Sequence, residues 1–187
     1  DLQLRPGETV RIYSWPRAAA TRHVEFVILL LHGAGDTGLT WSALASHLLA
    51  GQRLHGAVAV AVDLRGHGAT VSASHEAEAD LSIDRLVDDT VQLAAALSER
   101  FGGADLWLVG HSLGGSLAAR AATVGLHRQP PLPVQSVVLL DSVEGTALEG
   151  IPRTAAWLKA RPASFASQQE AISWAVSSRM LHSPAAA

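Results

Sequence analysis

Cysteine is absent from the 187-residue sequence, so neither a disulfide nor a thiolate metal site can form. Neither sign of charge dominates, and a net charge of −3 gives no reason to expect nucleic acid or an anionic membrane as a partner. The apolar runs, such as residues 26–31 and 57–62, are far too short to span a bilayer. We therefore expect a soluble intracellular protein, located in the cytoplasm or also in the nucleus.

Apolar runs and helical patterns alternate along the chain. Hydrophobic residues make up 48% of it, which is enough for one sizeable core. The polar residues 69–80 are expected to form a loop. Strands are predicted at residues 10–15, 25–31, 57–63, 104–110 and 136–141, and helices at 41–49, 83–97 and 112–126. This alternation predicts an α/β fold, with a mostly parallel sheet covered by helices on both faces.

The stretch ILLLHGAGDTG, residues 28–38, is compatible with two kinds of enzyme. Its three glycines spell G-x-G-x-x-G after an apolar run, which is typical of a dinucleotide-binding turn. Asp63, at the end of the next predicted strand, could then bind a ribose. However, an apolar strand followed by His32 and glycine is also typical of the loop with which hydrolases stabilise an oxyanion. For Asp63 we favour turn or cap chemistry.

The sequence Gly110-His111-Ser112-Leu113-Gly114 fits the G-x-S-x-G pattern between a predicted strand and a predicted helix. In that setting the turn is tight and raises the serine hydroxyl above the sheet as a nucleophile. A purely structural turn is the alternative. The hydrolase interpretation uses both glycine-rich stretches, because the backbone N–H groups of Ala34 and Leu113 would bind the developing oxyanion. The dinucleotide interpretation leaves Ser112 without a role.

A serine nucleophile requires a base, and the base requires an orienting carboxylate. The chain order in hydrolases with this elbow is serine, acid, histidine. Asp141 ends the predicted strand that follows the nucleophile helix, so it is the candidate acid. On position alone, Asp141 could also be a cap for the next segment.

Five stretches together closely resemble protein phosphatase methylesterase, a family of α/β-hydrolases. The glycine-rich stretches are shared by many α/β-hydrolases, whereas VEGTA after the acid and the RP-x-x-F that precedes the tryptophan helix are more specific. The five stretches are LLLHGAGDTGLTW, AVDLRGHGAT, LVGHSLGG, LLDSVEGTALEGI and LKARPASFASQQEAISWAVSS, and the resemblance runs from about residue 10 to about residue 180.

The resemblance implies an enzyme that removes the methyl ester from the C-terminal leucine of the protein phosphatase 2A catalytic subunit. In it, Ser112 matches the nucleophile and Asp141 the triad acid. No metal or organic cofactor is implied. Residues 1–151 would form the N-terminal part of the hydrolase core, and residues 152–187 the beginning of a cap.

The resemblance also implies a catalytic histidine after the last strand of the sheet. The chain ends before the final two strands would appear, so we expect this histidine and the C-terminal core to lie outside it, and the 187-residue chain alone to be inactive. His182, the only histidine after Asp141, is not favoured as the base. His111 is expected to point into the fold. Five histidines are expected at the surface or in turns: His23, His47, His55, His67 and His127. His32 belongs to the predicted oxyanion loop.

Two alternative functions remain open. One is a general esterase or lipase of the same fold that acts on small free esters. The other is a non-catalytic binding protein, because the chain offers no histidine where the family places its base.

Overall fold

The computed structural model describes residues 1–16, 23–50, 54–142, 156 and 159–178. The chain divides into two compact units, Asp1–Ser142 and Val143–Ala187. The domain boundary that we expected after residue 151 stays a prediction. In the part of the chain that the structure describes, no helix combines the length and the apolar character needed to cross a membrane.

Strands and helices alternate through the first unit, as the sequence predicts. Its strands are β1 (Leu2–Arg5), β2 (Glu8–Val10), β3 (Ile12–Trp15), β4 (Phe26–Leu31), β5 (Ala57–Val62), β6 (Asp105–His111) and β7 (Val134–Leu140). Its helices are α1 (Ser42–Ala50), α2 (His75–Ala79), α3 (Ile83–Arg100) and α4 (Leu113–His127), with a 3₁₀ turn at Gly38–Trp41 before α1. The helix α5 (Gln168–Ser177) lies in the second unit.

The central sheet has five strands in the order β3-β5-β4-β6-β7. All neighbouring pairs in it are parallel except β3 with β5. Two separate apolar clusters flank the sheet. Val27, Leu29 and Leu31 of β4 pack with residues of α3 and α4 on one face, and Ile28 and Leu30 pack with residues of the 3₁₀ turn and α1 on the other. Successive side chains of a strand point to opposite faces, so the apolar run of β4 is buried from both sides. The predicted α/β fold, with a mostly parallel sheet and helices on both faces, is confirmed.

The structure differs from the prediction in two places. Residues 75–79, expected as part of a loop, form α2, because the Ser74 hydroxyl accepts a hydrogen bond from the Ala77 N–H at 3.1 Å and caps the first turn. The chain before residue 12 forms an antiparallel hairpin of β1 and β2, which the sequence did not indicate.

A buried ionic network attaches this hairpin to α3 and to the loop after β5. The Glu8 carboxylate accepts hydrogen bonds from Arg5 at 2.7 Å, Arg85 at 2.7 Å and Arg65 at 3.2 Å. Arg65 also donates to Asp89 at 2.6 Å. Burial alone would raise the pKa of Glu8, but the hydrogen bonds from Arg5 and Arg65 and the neighbouring positive charges outweigh it and lower this pKa.

In the second unit, α5 begins with a reciprocal cap. The Ser167 hydroxyl accepts from the Glu170 N–H at 3.1 Å, and the Glu170 carboxylate accepts from the Ala166 N–H at 2.7 Å. The rings of Phe165 and Trp174 lie 5.7 Å apart, between centroids. The RP-x-x-F stretch and the tryptophan helix therefore pack against each other.

Candidate active site

Ser112 lies in the turn between β6 and α4, in a backbone conformation that few residues adopt. Its φ is 51° and its ψ is −115°. The turn is held from both sides, because the Ser112 N–H donates to the Leu140 carbonyl at 3.0 Å and the Ser112 carbonyl accepts from the Gly115 N–H at 3.0 Å. A serine before a helix usually caps it, but the Ser112 hydroxyl makes no such bond to α4. The hydroxyl is therefore available at an exposed position of the turn.

The glycines around Ser112 are required by the close approach of backbone atoms. A Cβ atom on Gly110 would overlap the Gly114 carbonyl group, and one on Gly114 would overlap the Leu31 carbonyl group. A Cβ on Gly115 would overlap the Ser142 hydroxyl. The G-x-S-x-G sequence therefore lets the turn, the first residues of α4 and the end of β4 pack against one another.

Asp141 directly follows β7, beside the serine turn. In the register of β6 and β7, His111 pairs with Leu140, so Ser112 and Asp141 are each the next residue after a paired position. Asp141 has a φ of 48°, a left-handed conformation that aspartate tolerates better than most residues. The Ser142 hydroxyl donates to the Ser112 carbonyl at 3.0 Å. The structure thus places the two predicted residues together at the carboxyl edge of the sheet.

Ala34 and Leu113 come to the same edge. Leu31 of β4 pairs with Gly110 of β6, and each predicted oxyanion donor lies three residues beyond its paired position. Leu113 is the first residue of α4, so its N–H belongs to the first turn, whose donors lack intrahelical acceptors. The positive end of the helix dipole also favours negative charge there.

The loop that carries Ala34 is a tight turn. The Asp36 N–H donates to the Gly33 carbonyl at 3.2 Å, which places Ala34 and Gly35 at the centre of the turn. Gly35 has a φ of 84°, and the positive φ at this position matches a type II turn, which favours glycine there. A Cβ on Gly33 would lie 2.8 Å from His111 Nδ1. The loop therefore passes directly beside the residue that precedes Ser112.

Asp63 does not fit the dinucleotide interpretation. Its carboxylate is fully buried and accepts hydrogen bonds from the Gly38 N–H at 2.8 Å, the Ala69 N–H at 2.9 Å and the Tyr13 hydroxyl at 3.1 Å. Burial, together with the adjacent Asp63 charge, raises the pKa of Tyr13. Asp63 joins three segments of the chain, as turn chemistry predicts, and is not open to a ribose.

His32 is fully buried within the loop region. Its Nε2 accepts from the Leu64 N–H at 3.0 Å, which leaves Nδ1 as the donor to the Gly33 carbonyl at 2.7 Å. Burial lowers the pKa of His32. His32 is therefore a neutral structural imidazole whose two nitrogens are already occupied.

His67 makes contacts that the sequence does not indicate. It is half-buried, and its Nε2 accepts from the Gly35 N–H at 3.0 Å while its Nδ1 lies 2.9 Å from the Arg65 carbonyl. The only sequence signal was its place between Gly66 and Gly68, in the glycine-rich turn that follows a buried strand. His67 lies in a turn, as the sequence predicts, and its ring also contacts the candidate oxyanion loop.

His111 does not point into the fold, so that expectation was wrong. Its side chain is 40% exposed, and its Nδ1 lies 3.8 Å from the Asp36 carboxylate. Among the described residues, no histidine forms a hydrogen bond with Ser112 or Asp141, and His182 lies outside them. Within the same residues, no group of three or more histidines and carboxylates could hold a metal ion. The catalytic roles of Ser112, Asp141 and the two oxyanion donors stay predictions.

Comparisons with known proteins agree with this architecture. A family model described as "Alpha/beta hydrolase family" matches residues 28–186. The "Probable protein phosphatase methylesterase 1" of Caenorhabditis elegans is 36% identical over 163 residues, which cover 86% of this chain and 42% of the relative. The protein phosphatase methylesterase 1 of Homo sapiens is 33% identical, over 81% of this chain and 36% of the relative. The chain thus spans about two fifths of the length of the curated relatives that it matches.

Solved structures give the same fold. The crystal structure of E-2-(acetamidomethylene)succinate hydrolase superposes with a TM-score of 0.69 at 22% identity, over 96% of this chain and 57% of that one. Potato (Solanum tuberosum) epoxide hydrolase I superposes with a TM-score of 0.53 at 25% identity, over 71% of this chain and 36% of that one.

Proposed function

Because the chain belongs to the α/β-hydrolase family, we propose that it carries the nucleophile, acid and oxyanion loop of a serine carboxylesterase. We further propose that the substrate is the methyl ester at the C-terminal leucine of the protein phosphatase 2A catalytic subunit. The observation that carries the esterase proposal is the conformation of Ser112, with its φ of 51° and a hydroxyl that does not cap the following helix. Relatives named as protein phosphatase methylesterases support the choice of substrate.

In the proposed mechanism, the Ser112 hydroxyl attacks the ester carbonyl carbon while a histidine takes the hydroxyl proton. The carbonyl electron pair moves onto oxygen, and the N–H groups of Ala34 and Leu113 stabilise the resulting oxyanion. As the tetrahedral intermediate collapses, the imidazolium returns the proton to methoxide and methanol leaves. Water then attacks the acyl-serine with the same histidine as base, which releases the leucine carboxylate and restores the serine.

Asp141 would orient this histidine and stabilise its protonated form. The base itself would come from outside the described residues, since the described histidines make no hydrogen bond to Ser112 or Asp141. Without that histidine, ester turnover would be slow, because a serine hydroxyl without a base is a weak nucleophile at neutral pH.

The test compares the protein that carries the complete triad with its Ser112→Ala variant on a methyl-esterified phosphatase tail peptide. Turnover should fall by several orders of magnitude while the fold is kept. Retention of more than about a tenth of the rate, about 1.4 kcal/mol of barrier, would exclude Ser112 as nucleophile.

Two further measurements separate the alternatives. Equal activity on p-nitrophenyl esters and on the methylated tail would indicate a general esterase. A serine-directed phosphonate probe that failed to label Ser112 in the complete protein would indicate a non-catalytic binding protein.

A further inference from the structure

Two histidines connect the candidate oxyanion loop, residues 32–36, with the loop after β5, residues 63–70. His32 belongs to the first loop and accepts a hydrogen bond from the Leu64 N–H of the second, at 3.0 Å. His67 belongs to the second loop and accepts from the Gly35 N–H of the first, also at 3.0 Å. Their rings meet edge to face, with centroids 5.0 Å apart. Each loop therefore supplies one imidazole that binds a backbone amide of the other.

We propose that His67 is a positioning residue that holds the oxyanion loop through its neutral imidazole. Gly35 is the neighbour of Ala34 and occupies the central position of the turn, with a φ of 84°. The bond from its N–H to His67 Nε2 fixes the plane of the peptide group that joins Ala34 to Gly35. The orientation of the Ala34 N–H, which is the candidate oxyanion donor, follows from that of the turn.

This arrangement requires one tautomer of His67. Because a backbone N–H can only donate, Nε2 must be unprotonated, and Nδ1 then carries the hydrogen that it donates to the Arg65 carbonyl at 2.9 Å. Protonation of His67 would place a second N–H against the Gly35 N–H. The bond would be lost, and two donors would face each other.

The other charged and titratable groups around His67 do not accept the Gly35 N–H, so a change in their charge would not break this bond directly. His32 has a pKa that burial lowers, so it stays neutral where an ordinary histidine would charge. The Asp63 carboxylate is already bonded to the Gly38 and Ala69 N–H groups. The Arg65 guanidinium is paired with Glu8 and Asp89 in the ionic network. On the oxyanion loop, Asp36 lies 3.8 Å from His111 and adds a negative charge.

The consequence for catalysis rests on the proposed esterase function, but the positioning role does not. A loosened turn would misalign the Ala34 N–H with the oxyanion, which matters only in the transition state. The experiment therefore measures the loop itself rather than turnover, so that a failure of the esterase proposal leaves this test intact.

The experiment is amide-resolved hydrogen exchange of the full-length chain and its variants His67→Ala and His67→Gln. Protection factors, which correct for the intrinsic pH dependence of exchange, are compared between pH 7 and pH 5. The Gly38 N–H, bonded to Asp63, serves as an internal reference in the same segment. His75→Ala is the matched control, since His75 is exposed on α2.

We expect protection of the Gly35 N–H to fall about tenfold in His67→Ala, because one hydrogen bond is lost. His67→Gln should keep most of it, since the glutamine carbonyl oxygen accepts where Nε2 does. On acidification the unsubstituted chain should lose protection at Gly35 but not at Gly38, and His67→Gln should not lose it. His75→Ala should behave as the unsubstituted chain.

Several results would overturn the proposal. These are an unprotected Gly35 N–H in the unsubstituted chain, unchanged protection in His67→Ala, or equal losses in the alanine and glutamine variants. The proposal would also be wrong if acidification lowered the protection of the Gly35 N–H in His67→Gln as much as in the unsubstituted chain. If His67→Ala fails to fold, the glutamine variant and the pH comparison still decide the question.

Discussion

The backbone strain at Ser112 makes a prediction about stability that does not depend on activity. A non-glycine residue in a sparsely populated region of backbone conformation costs about 1 to 3 kcal/mol, and Ser112 has a φ of 51° and a ψ of −115°. Glycine adopts positive φ without the Cβ clash. Against this, glycine is about 0.4 to 1 kcal/mol worse than alanine because its unfolded chain is freer. Ser112→Gly should therefore be more stable than Ser112→Ala by about 1 to 2 kcal/mol, whereas both lack the hydroxyl.

The assay is urea unfolding of the two variants, supported by thermal unfolding, in which the difference corresponds to about 2 to 8 °C. The matched control uses Ser116, an exposed residue inside α4. At position 116 the alanine variant should be more stable than the glycine variant, since glycine in a helix costs about 1 kcal/mol relative to alanine. If Ser112→Ala were as stable as Ser112→Gly, the turn would carry no strain. The fold would then not force this serine into a strained conformation.

Three further predictions concern carboxylates. Asp141→Asn, which keeps a residue tolerant of left-handed backbone, should lower kcat on the methyl ester by about 10⁴ with little change in KM, and an unchanged rate would exclude Asp141 as the acid. Asp63→Asn should lower the free energy of unfolding in urea by about 2 to 4 kcal/mol, because an amide NH₂ cannot accept from a backbone N–H. Tyr13→Phe should lower the free energy of unfolding by only about 1 kcal/mol. Losses of equal size in Asp63→Asn and Tyr13→Phe would contradict this account. The Glu8 carboxylate has a pKa lowered from 4.5 in the folded protein, so its stabilisation is present above pH 4.5 and is lost as the pH falls through the lowered pKa. Glu8→Gln should therefore be less stable at pH 7 and should flatten the acid side of the stability curve, and an unchanged slope would refute this linkage.

The sequence was sufficient to predict most of the strands and helices, because their apolar residues recur at regular spacing. Apolar runs such as residues 57–62 predict strands that are covered on both faces, and β5 is almost completely buried. The elbow could be predicted because its glycines are needed for local backbone contacts, which follow from neighbours in the chain. Gly110 and Gly114, for example, are constrained by each other and by the adjacent strand.

The contacts that the sequence did not reveal join loops across the structure. His67 and Gly35 are 32 residues apart, and Asp63 and Gly38 are 25 apart. Loops have no periodic pattern, so nothing in the composition of residues 63–70 says which side chain will face which amide. The β1–β2 hairpin was missed for a related reason. Leu2, Leu4 and Val10 pack against the core, but these apolar positions form too short a pattern to predict strands, and the hairpin is also held by Glu8 and three arginines.

β7 lies at the edge of the central sheet and exposes apolar side chains. It pairs with β6 on one side, and residues on both of its faces are exposed, with Val138 at 39% and Leu139 at 48%. Apolar runs of this kind are typical of parallel strands that are buried on both faces, and an unprotected edge is a template for pairing with another chain.

We therefore predict that the purified 187-residue chain self-associates. Sedimentation velocity should show species larger than a monomer at about 100 µM, in the range where exposed strand edges associate. The double variant Val138→Lys and Leu139→Lys should stay monomeric, because lysine on an edge opposes pairing. The control places the same charges at Val124 and Leu126 of α4, which are 48% and 60% exposed, and it should associate as the unsubstituted chain does. If the unsubstituted chain is monomeric at this concentration, or if both double variants abolish association equally, the β7 edge is not the surface responsible.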